Sequence, residues 1–256
     1  MVENRIVDLE LNVAKGWRGR DLSFLAKLPQ LESFTIIDLK IPSVSPIHFL
    51  CKLRRLDVQT YCQTEIRFSI FPALEECALE WRPQAISLFE RTTLKKLFVN
   101  RYDGRDVVPF GHLANLESLA ILNAPVEHLD GLNSLKRLRS LRLANLKRLT
   151  SLAGIEGLGD LEELEIHTCR GIGSIEEVGF LSRLQKLQLN NDGDIESLKP
   201  LERLNELMWV GFYESTNILD GDLSPLIRQK NLTRVSFKNR RHYSHRREEF
   251  GAAYSK

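Results

Sequence analysis

Glu163, Glu165 and His167 alternate along the run ELEIH, so in an extended strand they share one face. Two carboxylates beside an imidazole are the raw material of general acid–base catalysis. His167 and Cys169 together suggest a metal pair. A zinc site, however, needs about four ligands, and no further His or Cys falls near them, so no metal ligand is assigned. Gly154, Gly157 and Gly159 in AGIEGLGD have phosphate-loop flavour but do not follow a strand that opens a long helix, so they read as turn glycines. The stretch FKNRRHYSHRREEF, from Phe237 to Phe250, interleaves Lys238, Arg240, Arg241, Arg246 and Arg247 with His242 and His245. It offers a polyanion contact, a His242/His245 metal clip, or a terminal cap.

The elements that must position these groups come from a repeat. LEELEIHTC sets Leu161, Leu164 and Ile166 in an L-x-x-L-x-L frame. The frame recurs from Ile6, Leu9, Leu11 to Leu232, Val235, Phe237, eleven copies in all, with starts 20 to 28 residues apart. The tenth copy is taken as Leu204, Leu207 and Trp209. The x-x-L-x-L alternation predicts a short strand in each copy. After it, apolar residues step by three, as in Cys169, Ile172, Ile175, Val178, Leu181 and Leu184, which suits 3₁₀ turns.

Over essentially its whole length the chain resembles the leucine-rich repeat family. Repeats 6 to 9 are similar to the bacterial, internalin-like subtype of about 22 residues. The resemblance implies an α/β class fold: a curved, right-handed solenoid with a parallel sheet of about eleven short strands on the concave face and 3₁₀ or short helical returns on the convex face. It implies one domain over 1–256, with an N-terminal coil and cap at 1–27, central repeats at 28–230, and the last strand and cap at 231–256. The family places Asn or Cys three residues after the last strand leucine. Here that position reads Tyr61, Arg82, Tyr102, Ala124, Leu146, Cys169, Asp192 and Phe212, so no regular asparagine ladder is expected.

The outward residues between the frame leucines form columns across the strands. In one column the signs alternate wherever charges adjoin, as in Arg55–Glu76–Lys96 and Glu163–Lys186–Glu206–Arg234. With Arg142 beside Glu165 and Lys186 beside Glu163, the carboxylates read as ordinary ionised groups, and no catalytic residue is assigned. The alternation also argues against a phosphate-binding surface, which needs clustered like charges. Phe98, Asn100, Leu122, Arg142, Glu165 and His167, with Trp81 at the end of its strand, are the expected protein-binding residues of the concave face. Tyr213, Glu214, Lys238, Arg240 and Arg241 are expected rim contacts; the first two belong to GFYESTNILDGD, read as a long loop toward that face. Phe250, Ala253 and Tyr254 are spaced to pack on the last coil behind a helix capped by Ser244.

The net charge is +2, with 36 basic and 34 acidic residues, so no global field favours nucleic acid or membrane. No apolar run has transmembrane length, and MVENRIVDLELNV lacks a signal-peptide core. Cys51, Cys62, Cys77 and Cys169 form no C-x-x-C pair and read as free thiols in a reducing compartment, so the expected location is cytoplasmic. The function expected is a non-enzymatic protein-binding module without cofactor or small-molecule substrate, such as an immunity or antitoxin-type protein or another intracellular binding protein. The alternatives are nucleic-acid binding through the basic C-terminal segment and a secreted effector acting on a host protein.

Overall fold

The computed structural model describes residues 6–250. The chain forms two compact units, one ending at Asp103 and one beginning at Gly104. In the first unit five strands, β1 (Asp8–Asn12), β2 (Ser33–Ile37), β3 (Arg55–Gln59), β4 (Glu76–Glu80) and β5 (Lys96–Asn100), pair in parallel in chain order. In the second, β6 (Ser118–Leu122), β7 (Ser140–Ala144), β8 (Glu163–His167), β9 (Lys186–Asn190), β11 (Trp209–Tyr213) and β13 (Arg234–Phe237) do the same. A two-residue ladder lies among the returns of the second unit, β10 (Asp194–Ile195) against β12 (Asn217–Ile218). Most returns are single 3₁₀ turns, such as Ser45–Phe49 and Glu176–Phe180; one is a four-residue helix, α1 (Ser224–Ile227).

Ten of the eleven expected strands stand in the expected register, and the tenth corrects the reading. Val210 pairs with Leu187 and Phe212 with Leu189, so the inward frame of the tenth copy is Leu207, Val210 and Phe212. Trp209 faces outward, level with Lys186 and Arg234. Leu204 is the last step of the preceding period-three run, which mimics the first leucine of a frame three residues early. A shift by an odd number of residues exchanges the faces of a strand. Phe212 then stacks on Phe237, with centroids 4.8 Å apart and planes 4° from parallel. The same correction converts the expected long loop into β11, a turn and β12.

Frame residues such as Leu141, Leu164 and Leu187 have no exposed surface. Burying each leucine contributes roughly 1.5–3 kcal/mol. That burial traps backbone carbonyls at the corner where each strand turns, and a trapped carbonyl without a donor is costly. In the first unit Arg82 meets this need. It is fully buried, and its guanidinium donates to the carbonyls of Thr60, Cys62 and Glu80 at 2.8–3.3 Å. It forms no ion pair among the described residues. In the second unit Asp192 accepts from the Cys169 amide at 2.8 Å, and Thr216 accepts from the Asp192 amide while donating to the Leu189 carbonyl. The corners thus lack a regular asparagine ladder, as expected, and those at Arg82 and at Asp192 have substitutes.

The C-terminal stretch closes the second unit. Phe250 packs edge-on to Phe237 at 5.8 Å, and the buried Tyr243 hydroxyl accepts from the Ile218 amide. Ser244 does not cap the last turn. Its hydroxyl accepts from the Leu223 amide, while Glu249 and Asn239 side chains accept from the amides of Arg246 and Arg247. Ala253 and Tyr254 lie outside the described residues.

Two outcomes follow from these corners. Arg82→Met removes the donors of several buried carbonyls and is expected to cost about 3–5 kcal/mol in urea unfolding; an unchanged midpoint sinks the corner role. Burial pushes the Asp192 carboxyl up to about 7, against the two backbone amides that favour its charge. A folded-state pKa above the unfolded value means stability is full at low pH and is lost as pH rises from about 4 through 7. Asp192→Asn keeps the acceptor without the charge. Its gain over wild type is expected to grow across that window to about 2–4 kcal/mol at pH 8. A pH-independent difference excludes this account.

Candidate interaction surface

Each outward column inherits its spacing from the ladder, so side chains on neighbouring strands stand side by side. On β8 and β9 this assembles a charge network. Lys186 bridges to both Glu165 and, at 3.6 Å, Glu163; Arg142 lies 3.8 Å from Glu165. Burial disfavours the Glu165 anion, but the Lys186 ammonium outweighs it and holds the carboxyl below the usual carboxylate range. Burial lowers the proton affinity of His167, with Arg142 and Lys186 acting in the same direction against Glu165. An ionised Glu165 next to a neutral imidazole is a structural pair, not an acid and base with displaced proton affinities. His167 Nδ1 takes a hydrogen bond with the Asn190 side chain, leaving Nε2 buried and 3.5 Å from Glu165.

Trp209 stands in this same column and was missed by sequence reasoning, which turned it inward. Lys186 and Arg234, on the strands at either side, place their cationic heads 4.8 and 4.5 Å from its ring centre. The expected charge alternation Lys186–Glu206–Arg234 is therefore replaced by cation, aromatic, cation. The Trp209 indole N–H is buried without an acceptor. Two residues on, Gly211 carries no side chain, and a Cβ there would lie 2.8 Å from the Tyr213 ring, so Tyr213 folds over the strand at this point. His167, Asn190, Tyr213 and Glu214 with Thr168 and Asn191 line a shallow depression of about 490 Å³. The signal that could have found Trp209 was spacing: starting the tenth copy at Leu207 replaces gaps of 20 and 28 residues with gaps of 23 and 25.

The other expected site residues separate. Trp81 is not on the face. It is 8% exposed, packed 5.0 Å from Tyr102 and 5.5 Å from Phe89, with its indole N–H donating to Asp103. Phe98 and Asn100 are half-buried outward residues of the first unit, Asn100 donating to Glu80. Leu122, Arg142, Glu165 and His167 belong to the second unit, where register sets Leu122 beside Ala144 and Ala144 beside His167. Among the expected rim residues, Arg240 is spent internally. Like Arg82, it donates to carbonyls of the preceding turn, those of Glu214 and Thr216. Lys238, Arg241 and Glu214 are exposed, and Tyr213 is half-buried. His242 and His245 engage the Ile218 carbonyl and Ser244, and no group of three metal-ligating side chains occurs among the described residues.

Among solved structures the chain is similar to an internalin (InlF) of Listeria monocytogenes, with a TM-score of 0.61 and 23% identity over 94% of this chain and 76% of that one. The fold is that of a leucine-rich repeat solenoid. A second L. monocytogenes internalin, C2, scores 0.51 at 18% identity, covering 83% of each chain. The functional domain of InlJ scores 0.59 at 15% identity, with 91% of this chain aligned to 58% of that one. No family model matches the chain, and no curated protein matches it. At these identities the likeness concerns the leucine-rich repeat fold. No helix among the described residues is long and apolar enough to cross a membrane.

The buried Trp81 gives a direct check on which tryptophan belongs to the fold. Trp81→Ala is expected to cost about 3–5 kcal/mol. Trp209→Ala, at a half-buried outward site, is expected to cost clearly less. Equal losses in thermal unfolding contradict the assignment.

Proposed function

We propose that this leucine-rich repeat protein is a non-enzymatic binding module that holds a protein partner on the outward sheet face of its second unit. The observation that carries the reading is the cluster at β9, β11 and β13. There the Trp209 ring is clamped between two cations, on the strand that also carries Tyr213. Tryptophan, tyrosine and arginine are the residues that dominate protein interfaces, and here they are pre-ordered by the ladder and not by a mobile loop. The anchor expected at Trp81 is absent, which moves the centre of the surface toward the last strands. The four unpaired thiols support an intracellular setting, in which sequestration of a partner in the manner of an immunity protein is the finer version of this reading.

Recovery of partners from native lysate, followed by mass spectrometry, tests the site. A Trp209→Ala/Tyr213→Ala variant is expected to lose the polypeptide that wild type recovers, while Phe98→Ala retains it. Equal recovery by the double variant, with its melting temperature close to wild type, places binding elsewhere.

A further inference from the structure

The cations on the outward face of the second unit fall into two groups. Arg142 and Lys186 are engaged with the carboxylates of β8. Arg234, and Lys238 directly after β13, are exposed and form no ion pair among the described residues. Trp209 lies next to Arg234 in register, with its indole N–H buried and unaccepted. This edge of the face therefore offers two unneutralised positive charges beside an aromatic ring. A carboxylate answers them, because it carries the opposite charge and accepts hydrogen bonds from guanidinium and ammonium groups.

We propose that the face formed by β9, β11 and β13 docks an acidic polypeptide segment, with carboxylates paired to Arg234 and Lys238. The proposal rests on the protein-binding reading above and names the chemistry of its partner. A nucleic acid fits less well. Its regular phosphates call for a run of like charges, whereas Glu163 and the exposed Glu214 border this edge. A polypeptide can place its acids against Arg234 and Lys238 and leave neutral residues opposite those glutamates.

The test uses the full chain and three fluorescent probes: an oligoglutamate peptide, an oligothymidylate of equal charge and an oligolysine. Oligoglutamate is expected to bind, with affinity falling as salt rises. Arg234→Ser/Lys238→Ser is expected to weaken it about tenfold or more, as befits the loss of two charge contacts. Lys27→Ser/Lys52→Ser, which removes the same charge from the first unit, leaves it unchanged. Unaltered binding by the Arg234/Lys238 variant overturns the proposal, as does a failure of oligoglutamate to bind at low salt. Tighter binding of oligothymidylate, lost with the same substitutions, overturns it in favour of nucleic acid. If oligoglutamate fails while Trp209→Ala/Tyr213→Ala still abolishes partner recovery, the acidic partner is wrong and the binding face stands; if both fail, the face itself is wrong.

Discussion

Burying a column of leucines forces the chain to bury the corner that follows it, and the carbonyls of that corner cannot reach water. The rest of this fold depends on how those carbonyls are satisfied. A short asparagine is the usual economical solution, because one side chain both donates and accepts. This chain uses unlike substitutes: a guanidinium at Arg82 and Arg240, and a carboxyl–hydroxyl pair at Asp192 and Thr216. Each donates or accepts at the same kind of place, but with a charge that the interior must tolerate. Asp192 tolerates it by holding its proton to about pH 7. Arg82 tolerates it by surrounding its head with carbonyl oxygens, whose dipoles stand where a counter-ion would otherwise be needed.

With the corners fixed, the strands keep register and the outward columns follow without further instruction. That is why the face carries paired charges rather than a pocket. Lys186 reaches Glu163 and Glu165 because parallel strands bring equivalent positions to within side-chain reach. The same spacing holds the two cations against Trp209. A surface ordered this way can recognise a partner without reorganising.

Much of the fold was legible in the sequence because burial in a solenoid is written twice, once as period two in the strands and once as period three in the returns. The one failure of register arose where the two codes overlap. Leu201, Leu204 and Leu207 continue the period-three run into the strand, and the apolar Trp209 completes a false frame. The aromatic stack of Phe212 on Phe237 and the pairing of Val210 with Val235 fix the true phase, and neither is a local property of the sequence; within the sequence only the more even spacing of the repeats points to it. Trp81 failed for a different reason. Its position just after the strand alternates inward with Leu79, as the buried Asp38 and Thr60 do in the preceding coils, and the Tyr102 and Phe89 rings pack it there while Asp103 accepts the indole N–H.

The basic C-terminal stretch shows how far the count of charges is from their availability. Arg240 is drawn under the last turn, His242 is held by the Ile218 carbonyl, and Tyr243 and Phe250 fill the open end of the core. A segment that must seal apolar side chains on one side and face water on the other is polar by necessity. Its basic composition therefore carries little information about a ligand. Arg234 carries more, because it stands on a strand whose register fixes it over the Trp209 ring, and Lys238 extends that fixed position by one further cation. Charge becomes specific where the backbone that bears it cannot move to neutralise it.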